Sequence, residues 1–139
     1  MWEVKTLTGR RSSAHIWFSS DASNNGGATG TTGGGTCGVA SGACDTDKFT
    51  ATTNVVALRG RNDWRVPQFK ELQSIAHFGV FNSALDGTWF PYTPASWFLA
   101  GSRGAGGATN AWDVDFGEGY VSIGGRSGAF RVRLVRAGQ

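Results

Sequence analysis

The sequence predicts an α+β domain, and three observations carry the prediction. Glycine supplies 22 of the 139 residues, beside 6 Trp, 2 Tyr and 9 Phe, against a usual glycine share of ~7%. Disordered chains are poor in Trp and Phe, so the combination reads as short buried strands joined by glycine-rich loops. A helical bundle is excluded, because each helix-interior glycine costs about 1 kcal/mol. The second observation is a pair of stretches in which apolar residues recur at spacings of three and four. The third is strict two-residue alternation toward the C-terminus. At 14.7 kDa the chain has the size of one domain, expected to span 1–139.

Taken in order, Trp2 and Val4 look like a strand, and Ile16-Trp17-Phe18 precede a long loop. From Ser19 to Cys44 the 26 positions hold eight Gly, four Ser, four Thr and four Ala. Such a segment buries little apolar surface and is expected to be a surface loop over 19–44. A first helix is expected from about Asp47 to Leu58. Asp45 or Thr46 is its N-cap, Phe49, Thr53 and Val56 form one stripe, and Gly60 is the stop. A second helix follows Pro67, with Phe69, Leu72, Ile75 and Ala76 on one face. Glu71 sits three residues after Gln68, where a capping box wants Ser or Thr first, so the start of this helix is expected to be weak.

After Phe78 the chain becomes strand and turn. Ala111 to Phe116 alternates, with Trp112, Val114 and Phe116 inward and Ala111, Asp113 and Asp115 outward. Gly117-Glu118-Gly119 is a hairpin turn. The return strand places Val121 and Ile123 inward, and Tyr120 and Ser122 outward. Gly124 to Gly128 turns again, and Phe130, Val132 and Leu134 then alternate with Arg131 and Arg133. Two helices followed by an antiparallel meander make a compact α+β domain.

Composition narrows the function classes. No run approaches the ~20 apolar residues of a membrane-spanning helix. Met1 to Gly9 has neither the apolar core nor the cleavage site of a secretory signal, and the chain reads as beginning partway into a larger protein. Net charge is +3, and ten of the thirteen cations are Arg. Half of them, Arg103, Arg126, Arg131, Arg133 and Arg136, fall toward the C-terminus, which allows an anionic partner. Guarding of strand edges accounts for most of them, and no nucleic-acid motif accompanies the charge. Cys37 and Cys44 are too far apart for a CxxC motif. A loop-closing disulfide is expected instead, because this Gly/Ser-rich loop offers no core for a thiol, and it places the protein in an oxidising compartment.

Several landmarks fall in one order: Trp2-Glu-Val-Lys-Thr6, Asn62-Asp-Trp-Arg-Val-Pro67, Glu71-Leu72, Phe90-Pro91, Ala111-Trp112, Phe116, Gly119 and Val132-Arg-Leu-Val-Arg136. Together they resemble the bacterial DUF1566 domain, also called the Legionella collagen-like protein C-terminal (Lcl_C) domain, over nearly the whole chain. The resemblance implies a C-type-lectin-like fold, with two helices packed on a twisted, mostly antiparallel sheet and long loops. It implies a non-catalytic binding module, extracellular or at the cell surface, and a trimer as one assembly. The collagen-like member is an adhesin for sulfated glycosaminoglycans. Related domains serve as variable proteins of diversity-generating retroelements. The chain departs from the family pattern at Trp97-Phe-Leu-Ala-Gly-Ser102, where members carry Trp-Ser-Ser-Ser. It departs again at Pro67-Gln68 in place of Pro-Thr, and at Tyr92 in place of Asn.

No catalytic constellation stands out. His15 and His77 are isolated, and neither a nucleophile elbow, a phosphate loop nor HExxH is present. An enzyme is not expected, nor a cofactor. Asp113, Asp115 and Glu118 offer oxygens to Ca²⁺, but polar residues on a half-solvated sheet account for them. Trp64, Trp97 and Trp112 fall at core positions, while Trp89 fits either core or ligand platform.

The informative set is the outward positions between Leu99 and Phe130: Ser102, Arg103, Asn110, Asp113, Asp115, Glu118, Tyr120, Ser122, Arg126 and Ser127. Small and charged residues are mixed there over an apolar frame that keeps the family's identities. Random replacement at adenine-rich codons leaves such an assortment, and so does ordinary drift. Three functions follow as expectations. The first is a display module binding a protein or glycan through 99–130. The second is an adhesin for sulfated glycans through Arg103, Arg126, Arg131 and Arg133. The third is a structural domain of a surface or phage-tail protein.

Overall fold

A computed structural model describes residues 1–5, 14–22, 25, 27–33 and 45–137. Cys37 and Cys44, with their expected disulfide, lie outside the described residues. The elements are β1 (Ala14–Ile16), α1 (Thr46–Val55), a 3-10 turn (Leu58–Gly60), α2 (Phe69–Gln73), β2 (Trp97–Arg103), β3 (Asn110–Asp115), β4 (Val121–Gly125) and β5 (Ala129–Arg131). Five strands form one open mixed sheet in the order β1-β5-β2-β3-β4. Only β2 and β5 run parallel, so the α+β, mostly antiparallel expectation holds.

Local chemistry explains the helices. Asp45 caps α1 by accepting from the Lys48 amide at 2.9 Å. The helix ends at Val55, short of the expected Leu58. The Asn54 side chain is turned onto the Trp64 backbone, donating to its carbonyl at 2.9 Å and accepting from its amide at 2.8 Å. Ala57 and Arg59 then take left-handed φ of 46° and 56°, which no helix continues through. Val56, expected on the stripe with Phe49 and Thr53, is consequently exposed, and Leu58 enters the core instead.

α2 is only five residues long, and the chain leaves it at Ser74, though Ile75 and Ala76 still pack on the core. Gln68 is helped at the start of the helix from two sides. Glu71 accepts from the Gln68 amide at 2.8 Å. Ser102 of β2 accepts from the Phe69 amide at 2.7 Å and donates to Gln68 Oε1 at 2.8 Å.

The meander is corrected at its end. β2, β3 and β4 follow one another, but β5 does not pair with β4; it crosses back and inserts between β1 and β2. Its reason is burial on both faces of the sheet. One core gathers Trp17, Phe49, Trp64, Leu99, Ala111 and Leu134, and the other Leu72, Leu85, Phe98, Val114 and Phe116. β2 therefore carries the continuous buried run Phe98-Leu99-Ala100. Ala111 and Asp113 are buried as well, contrary to the one-sided alternation expected of β3.

The chain ends meet in a buried polar cluster. Glu3 Oε2 accepts from the Leu134 amide at 2.9 Å and from Lys5 Nζ at 3.2 Å. Lys5 also donates to the Val132 carbonyl. Arg133, expected outward, is fully buried; it donates to the Glu3 carbonyl and the Thr93 hydroxyl. Burial pulls the Lys5 amine down to about 8 against the opposing pull of Glu3. Burial also pulls the Arg133 guanidinium down to about 10.

Candidate functional site

The exposed chemistry collects at the free side of the sheet. β4 is an edge strand: β3 pairs with it on one side, and among the described residues no strand pairs with it on the other. The turn entering β4 abuts a second turn, from His77 to Asn82. The Asn82 amide donates to the Gly117 carbonyl at 2.9 Å, and the Ala84 amide to the Phe116 carbonyl. Gly119 has φ of +83°, and a side chain there would press on the Phe78 ring 3.3 Å away. The two turns thus hold Phe78, Phe81 and Tyr120 outward on neighbouring backbone, 71%, 72% and 60% exposed.

The ten expected contact residues divide. Arg103, Glu118, Tyr120, Ser122 and Ser127 are exposed. Ser102 is half-buried and caps α2. Asn110 is half-buried at the start of β3, and Asp115 turns inward along the chain, its Oδ1 accepting from the Gly117 amide at 2.8 Å. Asp113 and Arg126 are not outward at all, each 2% exposed. Among the described residues Asp113 Oδ1 has no hydrogen-bond partner; burial, and secondarily the Asp115 charge, push its carboxyl up to about 6.

Arg126 is structural. Its guanidinium lies 3.5 Å from the Trp17 ring centre, and Nη1 donates to the Asn25 and Ala28 carbonyls at 2.8 and 2.7 Å. Two of the four arginines expected to hold a sulfated glycan, Arg126 and Arg133, are therefore inside the protein. Arg131 is half-buried, and only Arg103 of that set is exposed.

Sequence reasoning missed Phe78, Val80, Phe81 and Tyr92, all exposed; Trp89, placed between core and platform, is 73% exposed. The signal was present in Phe78-Gly-Val-Phe81, an apolar run that neither the helical stripe nor the strand alternation absorbs.

A cleft of about 340 Å³ opens elsewhere, among Phe18, Asp21, Asp47, Thr50, Arg65 and Gln68. Its ionic groups face each other or the backbone. Asp47 accepts from the Ser20 amide and hydroxyl at 2.7 and 2.6 Å, and Arg65 grips Glu71 through two 2.7 Å contacts. Among the described residues no three His, Cys, Asp or Glu side chains gather as a metal site. His15 stacks on Phe49 at 4.4 Å, and the His77 Nδ1 accepts from the Gly79 amide.

The fold and this surface define a small α+β domain with two closed cores, and with exposed Phe78, Phe81 and Tyr120 on abutting turns beside the β4 edge. The chain belongs to the Lcl C-terminal domain family, whose model matches residues 1–136. No curated protein and no solved structure matches it.

Proposed function

We propose that this domain is a non-catalytic recognition module of a surface protein, which captures a protein or glycan through the β4 edge and the aromatic turns beside it. One observation carries the reading: Phe78, Phe81 and Tyr120 stand exposed on two abutting turns, while the apolar residues of both cores are closed off. Clustered exposed aromatics of this kind mark contact surfaces, because their hydration costs free energy that only a partner relieves. Family membership supports the surface-protein role. The two helices and the mixed sheet accord with a C-type-lectin-like arrangement. A trimer and an extracellular setting belong to the same reading.

Arrayed glycans and extracellular matrix proteins, probed with the purified chain, test it. The double variant Phe81→Ala/Tyr120→Ala should weaken capture about ten-fold or more with the melting temperature kept, as hot-spot aromatics do. Wild-type capture by that variant overturns the proposal. The glycosaminoglycan reading keeps too few exposed arginines from its set, and it predicts heparin binding that fades with salt. Diversification is a narrower version of the main reading, confined to Arg103, Glu118, Tyr120, Ser122 and Ser127. A near-identical repeat and a reverse-transcriptase gene beside the coding region would support it, and their absence would remove it.

A further inference from the structure

We propose that the ligand is an extended polypeptide segment that adds to the sheet as a sixth strand, antiparallel to β4. This rests on the recognition reading above and names its partner. The backbone carries the argument. The Arg126 amide donates to the Thr109 carbonyl and the Asp115 amide to the Tyr120 carbonyl. In the register that pairs Trp112 with Ile123 and Val114 with Val121, these two bonds direct the amides and carbonyls of Ser122 and Gly124 to β3. The amides and carbonyls of Val121 and Ile123 therefore point away from the sheet. No hydrogen bond among the described residues uses them.

The edge also lacks the usual guards. Val121-Ser-Ile-Gly-Gly125 contains no Pro and no charged side chain, and its pairing with β3 has no bulge. Ile123 is 38% exposed. The opposite edge differs, because Ile16 bridges Asp45, Phe18 bridges Gly30, and the Trp17 amide reaches the Arg126 carbonyl. One edge of the sheet is covered by its own chain, and the other, among the described residues, leaves the donors and acceptors of Val121 and Ile123 unmet.

Size and charge select the occupant. Five residues span about 17 Å. Pairing over that length buries on the order of 500 Å², short of the ~1,200 Å² of a stable protein pair, so a peptide segment fits better than a second copy. Exposed Glu118 precedes the edge, whereas Arg103 stands level with Gly124 but two strands inside the sheet, on β2. A strand running antiparallel meets Glu118 last. It should carry apolar residues opposite Ile123 and Val121 and a base near its C-terminus.

The probe is acetyl-Asp-Thr-Val-Thr-Val-Thr-Lys-amide, titrated into the intact chain and followed by amide NMR. Shifts and slowed exchange should centre on Val121 and Ile123. N-methylation of both valines, whose amides would face β4, should weaken binding about ten-fold or more, whereas N-methylation of the two threonines flanking the second valine should not. Replacing the terminal Lys by Asp should cost roughly three-fold at low salt. Ile123→Lys, an edge guard that leaves the β3 ladder intact, should abolish the shifts with the fold's own spectrum preserved. Absence of shifts at millimolar peptide overturns the proposal, as does equal binding by the valine-methylated peptide. If the peptide fails while Phe81→Ala/Tyr120→Ala still destroys capture on the arrays, recognition stands and strand addition falls. If the aromatic variant captures normally, the recognition reading itself falls.

Discussion

Asp113 alternates correctly with Trp112 and Val114, and a one-sided sheet would turn it to solvent. Instead its carboxylate lies under Gly124 and Phe130, where a Cβ on Gly124 would collide with Oδ2. Its acidity fixes the sign of a pH effect. The folded group titrates at about 6 against 3.8 for the ordinary carboxyl, so the fold favours the protonated form. The stability this contributes is fully present below pH ~4, declines as pH rises toward 6, and stays low above that. Asp113→Asn keeps the shape and removes the charge. It should be more stable than wild type at pH 7 by on the order of 2 kcal/mol, with the gain vanishing near pH 4. Urea melts across that range measure it, and a constant difference at all pH values would refute the buried-charge account. What the sequence could not convey here is the second core: alternation tells which residues share a face, not whether both faces are covered.

Elements repeat that lesson. The start of α2 read as weak because Gln68 caps poorly, and the missing cap comes from Ser102, a residue 34 positions away on β2. Ser102 sits among the expected contact residues, yet its hydroxyl both accepts from the Phe69 amide and holds the Gln68 side chain. Ser102→Ala should cost about 1 kcal/mol, as other lost caps do, and leave ligand capture intact. Faster exchange of the Phe69 amide, beside an unchanged β4 edge, is the expected signature. Impaired capture at unchanged stability would return Ser102 to the contact surface. Helix caps within one turn were legible, as Asp45 shows. A cap supplied across the fold was not, since no local pattern encodes it. The crossing of β5 was hidden for the same reason: alternation in Phe130, Val132 and Leu134 specifies a face but not a neighbour.

At the scale of the loop and its anchor, Arg126 looked like an exposed cation because Gly and Ser surround it in sequence. It stacks on Trp17 and bonds to carbonyls about a hundred residues earlier, tying the turn after β4 to the segment of Asn25 and Ala28. Arg126→Ala uncovers the Trp17 ring and leaves both carbonyls without their donor. A loss of about 2–3 kcal/mol is expected, with protease cleavage appearing first between Ser19 and Gly33. Arg126→Lys restores the charge but not the flat stack, so it should recover only part of the loss. Full recovery would mean that charge alone anchors the loop.

For the whole molecule the decisive contact is the closure of the two ends. Glu3 holds the Leu134 amide and Lys5, and its own carbonyl takes Arg133, so one carboxylate sits among two buried cations. Removing one partner of such a cluster leaves an unpaired buried charge, which typically costs 3–5 kcal/mol, whereas replacing partners together with apolar groups costs far less. Glu3→Ala should therefore destabilise by roughly 3 kcal/mol or more. Glu3→Gln/Lys5→Met, which keeps an acceptor for the Leu134 amide and removes one cation, should recover a large part of that loss. The Lys5 amine gives an independent check. Its folded value of about 8 lies below the ordinary 10.5, so deprotonation favours the fold. In Glu3→Ala the opposing pull of the carboxylate is gone, and stability should rise more steeply from neutral pH toward pH 10 than in wild type. Denaturant melts of the three proteins across that range decide the matter. Equal losses in the single and double variants, with parallel pH curves, would show that the ends are held by backbone pairing alone.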